Sequence, residues 1–181
     1  TISGNLTLLG SGQFRASTGA TARTHSVAGN VIIDGAAAIL VGTNAALAPN
    51  NGTWNIAGNV TLQNGGRLWG NAATGGAEGT INIAGNLINN GTVEHGPGPG
   101  AFNLNFNGAT AQTVSGNAIT SLQNVGVSNS SPSGVTLNNA VTWTGTATVN
   151  SGSLLAASAT VTNSGTTNVN GTLQLNAGGS L

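Results

Sequence analysis

Lysine, cysteine, methionine and tyrosine are missing altogether from the 181 residues, and charged side chains make up only 3% of them. Average soluble domains carry about 25%, so the shortfall excludes several functions at once. Nucleic-acid binding needs a basic patch that displaces counterions. The basic residues are Arg15, Arg23 and Arg67, scattered in a chain of zero net charge. Attraction to anionic lipid fails on the same ground. No run of about 18 apolar residues exists to form a membrane-spanning helix. Neither a nucleic-acid partner nor membrane insertion is therefore expected. The lack of cysteine is compatible with secretion, because a tall stacked core needs no disulfide staples. The chain opens on Thr1 without methionine, so a processed N-terminus or a fragment is expected.

Catalytic groups are equally sparse. The acids are Asp34, Glu78 and Glu94, and the histidines are His25 and His95. Acid–base chemistry requires positioned carboxylates or imidazoles, and these are not clustered along the chain. No catalytic residue is assigned, and an enzyme is not expected. The adjacent pair Glu94–His95 does not make a closed metal shell and reads as a solvated loop beside GPGPG. The Gly-Gly pairs at 65–66 and 75–76 lack the aspartate that calcium-binding β-roll repeats place after them. No metal and no cofactor are expected.

What is abundant is glycine, 30 residues, among Asn, Thr, Ser, Ala, Val and Leu. Disorder is excluded by an apolar content of 38% and by its regular recurrence. A hexapeptide, [TSN]-[IV]-[SA]-G-N-[LVA], occurs as TISGNL at Thr1, SVAGNV at Ser26, NIAGNV at Asn55, NIAGNL at Asn82 and TVSGNA at Thr113. Ile2, Val27, Ile56, Ile83 and Val114 are predicted to stack inward as one core column. The residues before them alternate outward, as period-2 strands require. The small residue and glycine form a corner. Asn5, Asn30, Asn59, Asn86 and Asn117 follow the corner and are predicted to form a ladder along the axis. Leu6, Val31, Val60, Leu87 and Ala118 return to the core.

Between the hexapeptides lie short strands and turns, such as VTLQNGGRLWG at 60–70 and the alternating FNLNFNG at 102–108. No stretch has helical periodicity. A repeat of about 27 residues suits one coil of three strands and three corners. Propeller blades need about 40–45 residues. The predicted fold is all-β, a single parallel β-solenoid domain over 1–181, with six to seven coils and a height of about 32 Å. Coils are expected to be longer over 1–111, with loops at 72–79 and 94–101, and more compact over 112–181.

The segments NIAGNLINNGTVEHG (82–96), FNLNFNGATAQTVSG (102–116) and LQNVGVSNSSPSGVTLNNAVTWTGTATVNSGSLL (122–155) resemble repeats of secreted β-helix surface proteins of Gram-negative bacteria. These are the autotransporter passenger domains and filamentous-haemagglutinin-like adhesins. The resemblance implies a right-handed parallel β-helix, export to the cell surface, and an adhesive or scaffolding role. It carries over no catalytic residue, and the absence of lysine and shortage of acids depart from it.

Three further expectations follow from the repeat. Trp54, two residues before Ile56, faces the core by alternation. Ile32, Ile88 and Ile119, two residues after the ladder asparagines, face outward as a candidate lateral interface with another chain or an overlying loop. Both ends lie in repeat texture without a polar cap, which solenoids need for solubility. An extracellular structural protein is therefore expected, its partner being itself, by end-to-end stacking or through flanking coils. The alternative is a surface adhesin that binds a glycan or host protein through loops 72–79 and 94–101.

Overall fold

The computed structural model describes residues 1–17, 21–43, 50–72 and 75–181. Within them are 22 short β-strands and no helix. The strands form three parallel sheets of eight, seven and seven strands. Each consecutive triplet gives one strand to each sheet. Coil 2, for example, consists of Val31–Asp34, Ile39–Thr43 and Gly52–Ile56. The result is a β-solenoid of seven triplets plus the first strand of an eighth. This is the architecture that the repeat predicted.

The strands form because inward positions carry Val, Ile, Leu or aromatic rings and outward positions carry Thr, Asn or Ser. In the third sheet Val27, Ile56, Ile83, Phe106, Val127 and Val149 are consecutive register partners, all buried. In the first sheet Val31, Val60, Leu87, Val114, Leu137 and Ala157 form the equivalent buried column. Trp54, Phe102 and Trp143 are among the largest side chains of the interior and have no exposed surface. Coils are joined along the axis by backbone hydrogen bonds, such as Val31 N–H to the Asn59 carbonyl at 2.8 Å.

The largest change in coil length between the first four coils and the last three arises at one corner. The first-sheet register runs from Leu6 to Val31, Val60, Leu87 and Val114, then to Leu137, Ala157 and Leu175. The repeat is therefore 25 to 29 residues in the first four coils and shortens to 18 at the end. In coils 1–4 the connection from second to third sheet spans residues 16–22, 44–51, 72–78 and 95–101. In coils 5–7 it is one or two residues. Residues 73 and 74 of the expected 72–79 loop lie outside the described residues.

Glycines close the necks of two of these excursions. Gly42 and Gly52 flank one, and Gly70 and Gly79 flank the next. A Cβ on Gly52 would overlap the Gly42 carbonyl oxygen, and one on Gly79 would overlap the Gly70 carbonyl oxygen. Only glycine lets the chain leave and re-enter the coil through so narrow a gap.

The fifth hexapeptide does not occupy the corner of the first four. Phe106, not Val114, is the register partner of Ile83. Val114 pairs with Leu87 in the first sheet. The FNLNF strand already fills the third-sheet position, and the hexapeptide, with Val114 eight residues beyond Phe106, falls on the next strand. A buried amide network closes the intervening corner at 107–111. Gln112 Nε2 donates to the Ile83 carbonyl at 2.9 Å, while its Oε1 accepts from Gly108 N–H at 2.9 Å and Asn129 Nδ2 at 2.8 Å. Val114 leaves the predicted column, Asn117 leaves the predicted ladder, and Ala118 is exposed rather than returning to the core.

Candidate functional site

The predicted site residues divide into those the register stacks and those it separates. Ile2, Val27, Ile56 and Ile83 share one inward column, Ile2 joining it by a single bridge to Val27. Asn5, Asn30, Asn59 and Asn86 form a ladder, but its rungs join side chain to backbone. Each amide oxygen accepts the backbone N–H of the equivalent residue one coil on: Asn30 to Asn5 at 2.8 Å, Asn59 to Asn30 at 2.8 Å and Asn86 to Asn59 at 2.7 Å. The last rung is Thr113 N–H to Asn86 Oδ1 at 2.8 Å. Threonine has no amide oxygen to pass on, so the ladder ends there.

The lateral interface is corrected at one position. Ile32 and Ile88 lie on the outer face of the first sheet, partly buried, alternating with Thr61. Ile119 instead belongs to the second sheet, pairs with Val141, and is 1% exposed in the core. It lies one strand further on than its counterparts, with the rest of the fifth hexapeptide, and there faces inward.

A ladder that the repeat did not single out covers the third sheet. Asn82 Nδ2 donates to Asn55 Oδ1 at 2.7 Å, and Asn105 Nδ2 to Asn82 Oδ1 at 2.8 Å. Asn124 Nδ2 donates to Asn103 Oδ1 at 2.9 Å in the neighbouring column. Amides are self-complementary along a parallel stack, each donating one way and accepting the other. These rungs make the face polar without charge. The signal was the Asn at the first hexapeptide position, combined with the alternating FNLNF strand.

Two side-chain amides meet the Asp34 carboxylate. Asn64 Nδ2 donates to its Oδ1 at 2.7 Å and Gln63 Nε2 to its Oδ2 at 3.0 Å. The Asn64 bond first, and the Gln63 bond second, hold the carboxyl below its ordinary value of 3.8. A depressed folded-state value means a stabilisation fully present above pH 3.8 and lost as the pH falls through the folded value. Asn64 has φ of 51°, so glycine is the clean replacement. A carboxyl-carbon NMR titration should place the Asp34 midpoint below 3.8, and Asn64→Gly should raise it. An unmoved midpoint in the variant would exclude this bond as the cause.

The remaining polar chemistry gathers beside the loop corner. Trp69 and Glu94 are direct register partners on adjacent coils, and Arg67 pairs with Thr92 beside them. The Trp69 indole N–H donates to Glu94 Oε1. The Arg67 guanidinium carbon lies 5.7 Å from the Trp69 ring centroid. An open-sided cleft of about 330 Å³ is lined by Trp69, Glu94, Gly96 and Pro97. The His95 ring nitrogens face the Gly96 and Gly100 carbonyls at 3.1 and 2.5 Å, so the imidazole braces the loop. Among the described residues no group of three His, Cys, Asp or Glu could hold a metal.

The sequence contained a signal for this cluster. Positions 69 and 94 differ by 25, within the range of coil lengths in this half of the chain. Reading the hexapeptides alone hid it, because both residues lie on a strand without a repeat motif.

No protein-family model matches the chain, no curated protein matches it, and no solved structure matches it.

Proposed function

We propose that this chain is an extracellular structural protein, a β-solenoid subunit that stacks end to end, coil on coil, into a filament or matrix. One observation carries the reading. The inward columns, buried through successive coils, become exposed at the last one. Val149 is buried, but its register partner Val169 is 44% exposed. Ala157 is buried, but its partner Leu175 is 51% exposed. Apolar side chains at an unpaired strand edge are a template for another strand. The scarcity of charge and the resemblance to secreted β-helix surface proteins support an extracellular setting.

Electron microscopy of the protein isolated without denaturant tests this. Unbranched filaments with a layer spacing of about 4.8 Å are expected. The double variant Val169→Lys, Leu175→Lys should abolish them, since buried or edge lysines guard against strand addition. Short discrete rods, unchanged by the two lysines, would instead support the alternative reading of an adhesin that uses the loop corner.

A further inference from the structure

Three basic and three acidic residues are spread over the whole chain, yet Arg67 and Glu94 stand together around one tryptophan. Trp69 is also unlike the other two tryptophans. Trp54 and Trp143 are sealed in the core, whereas Trp69 stands partly exposed on the outer face of the second sheet. Its ring is held in place by the Glu94 hydrogen bond and the Arg67 contact. The adjoining wall is fixed too. Gly96, at φ of 87°, turns the chain, and the bracing of His95 onto Gly96 and Gly100 ties down the loop that carries Pro97. The cleft is therefore preformed, and little ordering is needed on binding.

Its chemistry selects a ligand class. A purely apolar ligand would desolvate a carboxylate without replacing its hydrogen bonds. An anionic ligand would meet Glu94 in the lining itself. The His95 nitrogens are turned to carbonyls, which leaves Glu94 without a partner ligand for a metal. A ligand with one apolar face and hydroxyls at its edge satisfies both the indole and the carboxylate. Among the described residues Glu94 makes no side-chain hydrogen bond beyond the one at Oε1. We infer that this cleft binds a hexopyranose unit of a neutral glycan. The sugar's C–H face stacks on the Trp69 indole, and two adjacent hydroxyls donate to Glu94 Oε2. Arg67 is a positioning residue for the ring. The site is complete within coils 3 and 4, so it stands independently of coil stacking.

Trp69 supplies its own reporter, since the other two tryptophans are shielded from solvent. Fluorescence titration of the intact chain with lactose, cellobiose and maltotriose should give a saturable change for at least one of them, with Kd of about 1 mM. N-acetylneuraminic acid should give none. Glu94→Gln should weaken binding about tenfold, the loss expected for a charge-assisted hydrogen bond. Trp69→Ala should abolish it. Trp69→Phe, which keeps a stacking surface, should retain saturation-transfer NMR signals from the sugar C–H protons, and it controls for misfolding in the alanine variant. No saturable change with any neutral probe at about 50 mM would overturn the inference. So would a response that survives in Trp69→Ala, or equal binding of the acidic sugar.

Discussion

Replacing Trp54 with alanine should cost about 3–5 kcal/mol, the range for large aromatic truncations in a packed core. The side chain is fully buried. Its ring meets Phe14 edge-on at 4.8 Å between centroids and lies 4.9 Å from His25. Its indole N–H donates to the Val41 carbonyl at 2.9 Å, tying the second sheet to the third across the interior. Such a loss is a large share of the 5–15 kcal/mol typical of a whole domain. In a solenoid each coil contacts only its neighbours, so amide-exchange protection should fall first in coils 1–3. A companion pair of variants isolates the hydrogen bond. Trp54→Phe removes this bond while the Val41 carbonyl keeps the Ala16 N–H at 3.1 Å, a loss of about 0.5–1.5 kcal/mol. Trp143 is as deeply buried, but among the described residues its indole nitrogen has no hydrogen-bond partner. Trp143→Phe removes an unsatisfied donor and should be the milder change. Urea unfolding that found the two phenylalanine variants equally destabilised would remove the hydrogen bond from the account.

The second large effect is expected at a glycine. Gly79 re-enters the coil beside Gly70, and a Cβ there would overlap the Gly70 carbonyl oxygen. That oxygen belongs to the backbone of a paired strand, so it cannot swing aside as a side-chain tip would. Gly79→Ala should destabilise the protein by about 3 kcal/mol or more, at the upper end of overpacking effects. The excursion at 72–78 should then lose protection from proteolysis. The control lies in the same loop. Among the described residues Gly76 has nothing within 4 Å of its would-be Cβ, so Gly76→Ala should stay within about 0.5 kcal/mol of the parent. Thermal unfolding of both variants decides the matter: similar midpoints would mean that the neck is not tight.

The sequence by itself determined the architecture. Alternation of aliphatic and small polar residues fixes which side of each strand faces inward, because the side-chain period of a strand is two. A hexapeptide that recurs every 25 to 31 residues fixes the coil as the repeating unit. Those two facts placed Ile2, Val27, Ile56 and Ile83 in one column and Asn5, Asn30, Asn59 and Asn86 in one ladder, and they turned Trp54 inward. The neutral surface also follows from composition, since three acids and three arginines cannot charge it.

Tertiary structure alone decided what depends on register between coils. A strand's partner is set by how many residues the intervening corners absorb, and corner lengths are not periodic. The FNLNF strand reached the third-sheet position with Phe106, 23 residues after Ile83 and ahead of the fifth hexapeptide, which therefore fell one strand onward. Val114 and Asn117 left their columns, and Ile119 moved from the surface to the core. The rungs of the asparagine ladder turned out to end on backbone N–H groups, a choice of rotamer and distance that no residue pattern encodes. The meeting of Trp69 with Glu94 has the same origin. Both lie on strands that carry no motif, and only the parallel register of two adjacent coils brings an indole and a carboxylate to one edge of a cleft.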